Sequence, residues 1–150
     1  MTRTLVLLLA LCPGVVVAQQ PFVGAWQLSY PIGARIEDGI ETPIIGTGLF
    51  TVEAKGDSLI GMLATDPMPD MPARPPLRLA GKAGAGEARF LAHSKATINI
   101  NGAEREATVV STWVLRAKGD SIGGTVERSI EGMEAGMQGA KPVSGTRRKS

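Results

Sequence analysis

The stretch Thr51-Val-Glu-Ala-Lys-Gly-Asp-Ser-Leu-Ile-Gly61 decides the fold, because it returns as Val114-Leu-Arg-Ala-Lys-Gly-Asp-Ser-Ile-Gly-Gly124. Both stretches place Gly-Asp between two short apolar runs, which is the pattern of a tight turn joining two strands. Both also carry a glycine early in the outgoing run. We interpret the similarity as two hairpins with the same turn chemistry, so strands joined in sequence are the expected unit of the fold.

The same alternation of short apolar runs and turn residues continues along most of the chain. Asn101-Gly102 is the strongest two-residue hairpin signal, and no segment keeps helical apolar spacing over three turns. Five prolines fall within residues 66–76, which excludes a central strand there because proline lacks a backbone donor. Loops are predicted at 31–42, 66–76 and 130–141. Strands are predicted at 22–30, 44–55, 58–65, 77–82, 87–93, 96–100, 107–118, 121–128 and 143–149.

Strands joined in order by tight turns form an antiparallel meander. A meander of about eight strands leaves two unpaired edges in an open sheet, and closure into a barrel removes both edges. We therefore predict an all-β fold, an antiparallel barrel of about eight strands with the last strand beside the first.

Residues 1–18 have the order of an export signal. Arg3 precedes a long apolar run, and small residues lead to a cleavage site after Ala18. The run is shorter than the roughly 20 residues needed to span a bilayer, and Pro13-Gly14 interrupts it. We expect cleavage after Ala18, a secreted or periplasmic location, and no stable membrane span in the product.

Cys12 gives the signal segment a second interpretation, a lipoprotein acylated at this cysteine. Leu11 argues against it, because a small residue is expected before an acylated cysteine. Cleavage after Ala18 leaves residues 19–150 as a single domain without cysteine, so no disulfide can form. The chain has 16 basic and 14 acidic residues, and this near balance argues against a nucleic-acid partner.

The segment Phe22-Val-Gly24-Ala-Trp26 resembles the Gly-x-Trp signature that opens lipocalin-type barrels. Pro76-Leu-Arg-Leu, Glu87-Ala-Arg-Phe90 and Ser144-Gly-Thr-Arg147 resemble segments of small exported bacterial β-barrel domains. The chain is shorter than a lipocalin, has no recognisable helix before its last strand, and has no disulfide. The resemblance therefore implies a calycin-like barrel rather than a lipocalin proper.

The same resemblance implies roles for residues at the closed end of the barrel. Trp26 would plug that end, Gly24 would allow a close approach of the backbone, and an arginine late in the chain would pack over the tryptophan. Arg147 is the preferred arginine, with Arg128 and Arg148 as alternatives.

Residues suited to catalysis or metal binding are sparse. His93 is the only histidine, and no Gly-x-Ser-x-Gly sequence supplies a nucleophile, so we expect no catalytic residues and rank a secreted hydrolase low. Met68, Met71, Met133 and Met137 lie in two loops, and thioethers suit Cu(I), so a copper-binding envelope protein is a minor hypothesis. Covering the barrel mouth is their simpler role, and we expect neither a metal nor a cofactor.

A small-molecule site is the remaining hypothesis. Tyr30, Trp113, Phe90 and Phe50 are inward candidates for its wall, with Tyr30 and Trp113 nearest the mouth. Glycines in the strands would either make space for a ligand or let a small barrel close tightly. We expect a non-enzymatic barrel that binds a small apolar or amphipathic molecule in a cavity of a few hundred Å³. The alternative is a structural or interaction domain with a filled barrel that acts through its loops.

Overall fold

The computed structural model describes residues 19–133 and 138–149, without the side chains of Ile100 and Gln138. The expected signal segment 1–18 with Cys12 lies outside the described residues, and so does Met137. In the described ranges no helix is both long and apolar enough to cross a membrane. The strands are β1 (Gly24–Glu37), β2 (Ile40–Lys55), β3 (Ser58–Thr65), β4 (Leu77–Ala83), β5 (Ala88–Ile100), β6 (Ala103–Lys118), β7 (Ser121–Ile130) and β8 (Gln138–Arg147).

These eight strands form one closed antiparallel barrel in sequence order. The ladder between β1 and β8 pairs Trp26 with Arg147 and Ser29 with Ser144, so the last strand lies beside the first. The predicted all-β meander and its closure are confirmed. The architecture is compatible with a calycin-like barrel.

Four two-residue turns explain why neighbouring strands pair. Gly56-Asp57 and Gly119-Asp120 join β2 to β3 and β6 to β7, and each glycine has a positive φ, 62° and 60°. Asp38-Gly39 and Asn101-Gly102 join β1 to β2 and β5 to β6, with both residues of each pair at positive φ. Such turns match the right-handed twist of paired strands, so each one fixes a hairpin.

The predicted loop at 31–42 is wrong over most of its length. Strand β1 continues to Glu37 and β2 begins at Ile40, so only Asp38 and Gly39 form the turn. The ladder shifts register between Pro31 and Gly33, and such a bulge tolerates a residue that has no backbone donor. Other boundaries also differ. Strand β5 is continuous where two strands were predicted, β6 begins at Ala103 and not at residue 107, and β8 begins inside the predicted loop 130–141.

Large side chains fill the barrel interior. Phe50 and Phe90 meet edge to face with ring centroids 5.4 Å apart, and both are buried. A Cβ atom at Gly61 would overlap the Phe50 ring, and one at Gly81 would overlap the Phe90 ring. These glycines therefore make room for the aromatic rings of the core.

The meander places alternate connections at opposite ends of the barrel. The closed end carries the tight turns after β2, β4 and β6. The open end carries the 66–76 loop and two long hairpins. We call one of these hairpins, residues 31–46, the first arm. The β1–β8 ladder stops at Ser29 and the β2–β3 ladder begins at Gly48, so the two strands of the first arm pair only with each other.

Candidate functional site

Trp26 and Arg147 pack together at the closed end. The indole Nε1 of Trp26 donates a hydrogen bond to the Phe22 carbonyl at 2.8 Å, and the guanidinium carbon of Arg147 lies 4.1 Å from the ring centroid. Arg147 also donates from Nη1 to the Val23 carbonyl at 2.8 Å. A Cβ atom at Gly24 would lie 2.8 Å from that Nη1, so the glycine gives the guanidinium its space.

Both repeated Gly-Asp turns take part in this end. The Gln19 amide nitrogen donates to the carbonyls of Gly56 and Ser58 in the first turn, at 3.2 and 3.3 Å. In the second turn, Asp120 accepts a backbone hydrogen bond from Arg147 at 2.8 Å, and its carboxylate lies 3.5 Å from the Arg147 Nε. The two turns that share this sequence therefore bind the N-terminal segment, through Gln19, and the last strand, through Arg147.

Tyr30 and Trp113 lie deeper toward the open end, as an edge-to-face pair with centroids 5.5 Å apart. The Tyr30 hydroxyl is 2.7 Å from Thr65 Oγ1, and the Trp113 Nε1 donates to Ser111 Oγ at 3.1 Å. Burial raises the pKa of Tyr30, against the opposing effects of the Thr65 hydrogen bond and the Arg74 charge. Both rings are almost fully buried, and we call this pair the floor; it reaches the pocket under the 66–76 loop through Thr65 and not by direct contact.

A pocket of about 60 Å³ lies above this floor, under the 66–76 loop. It is smaller than the interior cavity of a few hundred Å³ expected from the sequence, because large side chains fill the barrel. Met68 and Met71 form part of its wall and pack against the core cluster. Its remaining lining comes from Ile32, Thr65, Asp66, Pro67, Pro72, Ala73 and Arg74.

Asp66 holds the start of the loop. Its Oδ2 accepts hydrogen bonds from Gln27 Nε2 at 2.9 Å and from Thr47 Oγ1 at 2.6 Å. Its backbone nitrogen donates to the Thr47 carbonyl at 2.8 Å. Hydrogen bonds to Oδ2 of Asp66 thus anchor the start of the loop to β1 and β2.

Arg128 brings a second positive charge to the open end. It occupies β7 opposite the buried Ser111 of β6, and its Nη2 donates to the Pro31 carbonyl at 2.7 Å. Burial lowers the pKa of Arg128, and the nearby charge of Arg74 lowers it further. None of the ion pairs among the described residues includes Arg74 or Arg128. The open end therefore carries two cations without a carboxylate partner in the part of the chain that the structure describes.

The sequence-predicted wall residues are only partly brought together. Tyr30 and Trp113 pair near the mouth, while Phe50 and Phe90 pair in the core, and none of these four lines the pocket. Sequence reasoning missed the pocket itself and considered Arg128 only as a partner for Trp26. The one available signal was the 66–76 segment, which combines apolar thioethers with an arginine.

Of the residues named in the copper and hydrolase hypotheses, Met68 and Met71 line this pocket, whereas His93 and Met133 do not. His93 is exposed and alternates with the buried Ala92, so it lies on the outer face of β5. Met133 is about half exposed, at 51%, and Met137 lies outside the described residues. Within the described ranges, no three His, Cys, Asp or Glu side chains cluster as a metal site would require.

Comparisons with protein-family models, with curated proteins and with solved structures found nothing that matches this chain.

Proposed function

We propose that this protein is an exported, non-enzymatic, calycin-like barrel that binds one end of a small amphipathic molecule in its open-end pocket. The observation that carries the proposal is a thioether-lined pocket that also has Arg74 in its wall, with Arg128 at the same end of the barrel and near enough for the two charges to interact. Fold alone would not justify the proposal, because barrels of this kind serve many functions.

The apolar half of the pocket supports an aliphatic or ring-shaped group as the inserted part. Met68 and Met71 have flexible, polarisable side chains that adapt to irregular shapes. Pockets for whole drug-sized ligands measure about 300–1,000 Å³, so about 60 Å³ admits only the tip of such a molecule. A larger inserted group requires the 66–76 loop to move.

The polar half supports an acidic head group. A guanidinium has five N–H donors, and Arg128 uses one nitrogen on the Pro31 carbonyl among the described residues. Among the described residues, no buried side-chain nitrogen or oxygen lacks a hydrogen-bond partner. Because the other Arg128 nitrogens have no such partner in that part of the chain, they must be accessible to solvent. Charge-assisted hydrogen bonds from Arg74 and Arg128 to a carboxylate would be the strongest contacts available there.

The filled interior favours the mouth over the barrel centre as the binding place. The filled interior is equally compatible with the second candidate function, an interaction domain that acts through its exposed segments. The two candidates differ in what the Arg74 and Met71 side chains contribute, because only the ligand hypothesis requires them to contact a small molecule.

The test is a fluorescence titration with a dansyl-labelled undecanoic acid and with the matching uncharged alcohol. We expect the acid to bind, Arg74→Gln to weaken it about tenfold, as loss of a charge-assisted hydrogen bond would, and the alcohol to be insensitive to that change. Met71→Asp should weaken both. Arg116→Gln is the matched control, since Arg116 is exposed and pairs with Glu87 on the outer face. Unchanged binding of the acid to Arg74→Gln, or no binding to the wild type, would overturn the proposal.

A further inference from the structure

A shallow apolar groove runs along the outside of the barrel over β3, β4 and β5. Ala80 forms its floor, because its cross-strand neighbours Ile60 and Leu91 are both larger. The groove measures about 440 Å³, and Leu91 is 43% exposed beside it. An apolar channel of this size on an outer face is a candidate contact surface.

The rim of this groove is basic. Lys82 and Arg89 line the groove and pair across β4 and β5. Arg78 lies beyond the lining residues, two positions from Ala80 along β4 and opposite Met62. Asp57 lies 3.6 Å from Lys82, but both side chains are more than 70% exposed, so this ion pair is weak. The groove therefore fits an occupant that is apolar and acidic.

The tip of the first arm has that chemistry. Ile36 and Ile40 are 73% and 68% exposed. Ile36 pairs across the strands with Glu41, and Ile40 pairs with Glu37, so each face of the tip carries one isoleucine beside one glutamate. Arg35 lies 3.8 Å from Glu37, but both side chains are exposed, so this ion pair is weak and neutralises little of the Glu37 charge.

We propose that the first-arm tip of one copy docks in the β3–β5 groove of a second copy. Directly paired side chains on a hairpin have Cβ atoms about 5 Å apart, and successive residues on one face of a strand are about 7 Å apart. An isoleucine of the tip can therefore contact Leu91 while its neighbouring glutamate reaches Arg89.

The tip cannot fill the groove of its own barrel. Glu53 pairs with Ile60, and Ile40 lies thirteen positions before Glu53 along β2. At about 3.3 Å per residue, the tip lies about 43 Å along the strand from the groove. Only another molecule can supply the tip, and this self-recognition does not depend on the proposed ligand pocket.

The contact joins different surfaces of the two copies. Each copy has one tip and one groove, so the association is head to tail and leads to rings or open chains. A hairpin tip buries less area than a stable dimer interface, so the association is weak and depends on concentration.

The experiment is sedimentation velocity of the purified protein from low micromolar to submillimolar concentration. We expect the weight-average sedimentation coefficient to rise with concentration, and to rise less at high salt because the charged contacts are screened. A tip variant (Ile36→Ser with Ile40→Ser) and a groove variant (Ile60→Ser with Leu91→Ser) should each stay monomeric. Ile45→Ser is the matched control, since Ile45 is 49% exposed on the same arm but away from its tip.

A mixture of the two variants separates this proposal from general stickiness. The tip variant keeps a groove and the groove variant keeps a tip, so an equimolar mixture should form a 1:1 dimer that neither variant forms alone. Unchanged circular dichroism of each variant shows that its barrel is intact. A monomeric wild type at every concentration, a mixture that stays monomeric, or a tip variant that associates like the wild type would each overturn the proposal.

Discussion

The guanidinium of Arg147 lies 4.1 Å from the centroid of the Trp26 ring and donates hydrogen bonds to two backbone carbonyls of the segment that precedes β1. Trp26 and Arg147 are also directly paired in the ladder that closes the barrel. One side chain thus joins the last strand, the first strand and the N-terminal segment. Closure of the barrel should depend on it more than on any exposed ion pair.

Replacing Arg147 by Met should lower the free energy of unfolding by about 2 kcal/mol, because the change removes charge-assisted hydrogen bonds to the Val23 and Pro21 carbonyls and the contact with Trp26. Urea denaturation followed by tryptophan fluorescence measures the loss. Arg148→Met is the control and should change stability by less than about 0.5 kcal/mol, as expected for an exposed side chain. Equal effects of the two substitutions would contradict the role given to Arg147.

Replacing Gly24 by Ala should also destabilise the protein by about 2 kcal/mol, because φ is 125° there and the added Cβ would lie 2.8 Å from Arg147 Nη1. Part of this effect is steric and part is backbone strain. In an Arg147→Met background the steric part is relieved, so the loss of unfolding free energy should be smaller. If a double-mutant cycle finds that the effects of Gly24→Ala and Arg147→Met on unfolding free energy are additive, the absence of a Cβ at Gly24 does not provide space for the guanidinium.

The core glycines give a third prediction. Gly61→Ala should lower the free energy of unfolding by about 1–3 kcal/mol, since the new methyl group would overlap the Phe50 ring. Adding Phe50→Leu removes the overlapping ring atoms, so the double variant should be more stable than the sum of the two single changes predicts. Gly139→Ala is the matched control, because a Cβ there meets nothing within 4 Å.

The single tyrosine of the chain allows a direct test of the open-end floor. Burial raises the pKa of Tyr30 above its ordinary value of 10.0. A raised pKa in the folded state favours the neutral phenol, so its contribution to stability is complete below pH 10 and is lost as the pH rises through the folded pKa.

An absorbance titration of tyrosinate should therefore give a midpoint above 10.0 in the folded protein. The unfolding free energy should also fall more steeply above pH 10 in the wild type than in Tyr30→Phe. A midpoint at or below 10.0 would show that the phenol is not held in the buried position between Thr65 and Trp113.

The sequence predicted the meander because each turn is a local signal. Gly56-Asp57, Gly119-Asp120 and Asn101-Gly102 require only their own backbone angles, so a pattern of a few residues identifies them. The first arm was missed for the same reason. Pro31 and Gly33 read locally as a loop, whereas pairing with β2 and a register shift keep them in a strand.

The site was less predictable than the fold, because it depends on which distant segments meet. Arg128 and Arg74 are far apart in sequence, and only the closed barrel brings both to the open end. The role of the strand glycines was open in the sequence. The structure shows rings of Phe50 and Phe90 in the space that Gly61 and Gly81 leave, which no local pattern distinguishes from a hollow interior.

The central claim is that an amphipathic acid binds at the mouth and not in the barrel centre or at the closed end. The most direct measurement is an NMR titration of the wild-type protein with decanoate, following the two indole N–H signals. Trp113 packs against Tyr30, whose hydroxyl contacts the pocket-lining Thr65, whereas Trp26 packs against Arg147 at the closed end. We predict that the Trp113 signal shifts in a saturable manner while the Trp26 signal does not move. Equal shifts of both signals, or none up to the solubility limit of decanoate, would contradict the account.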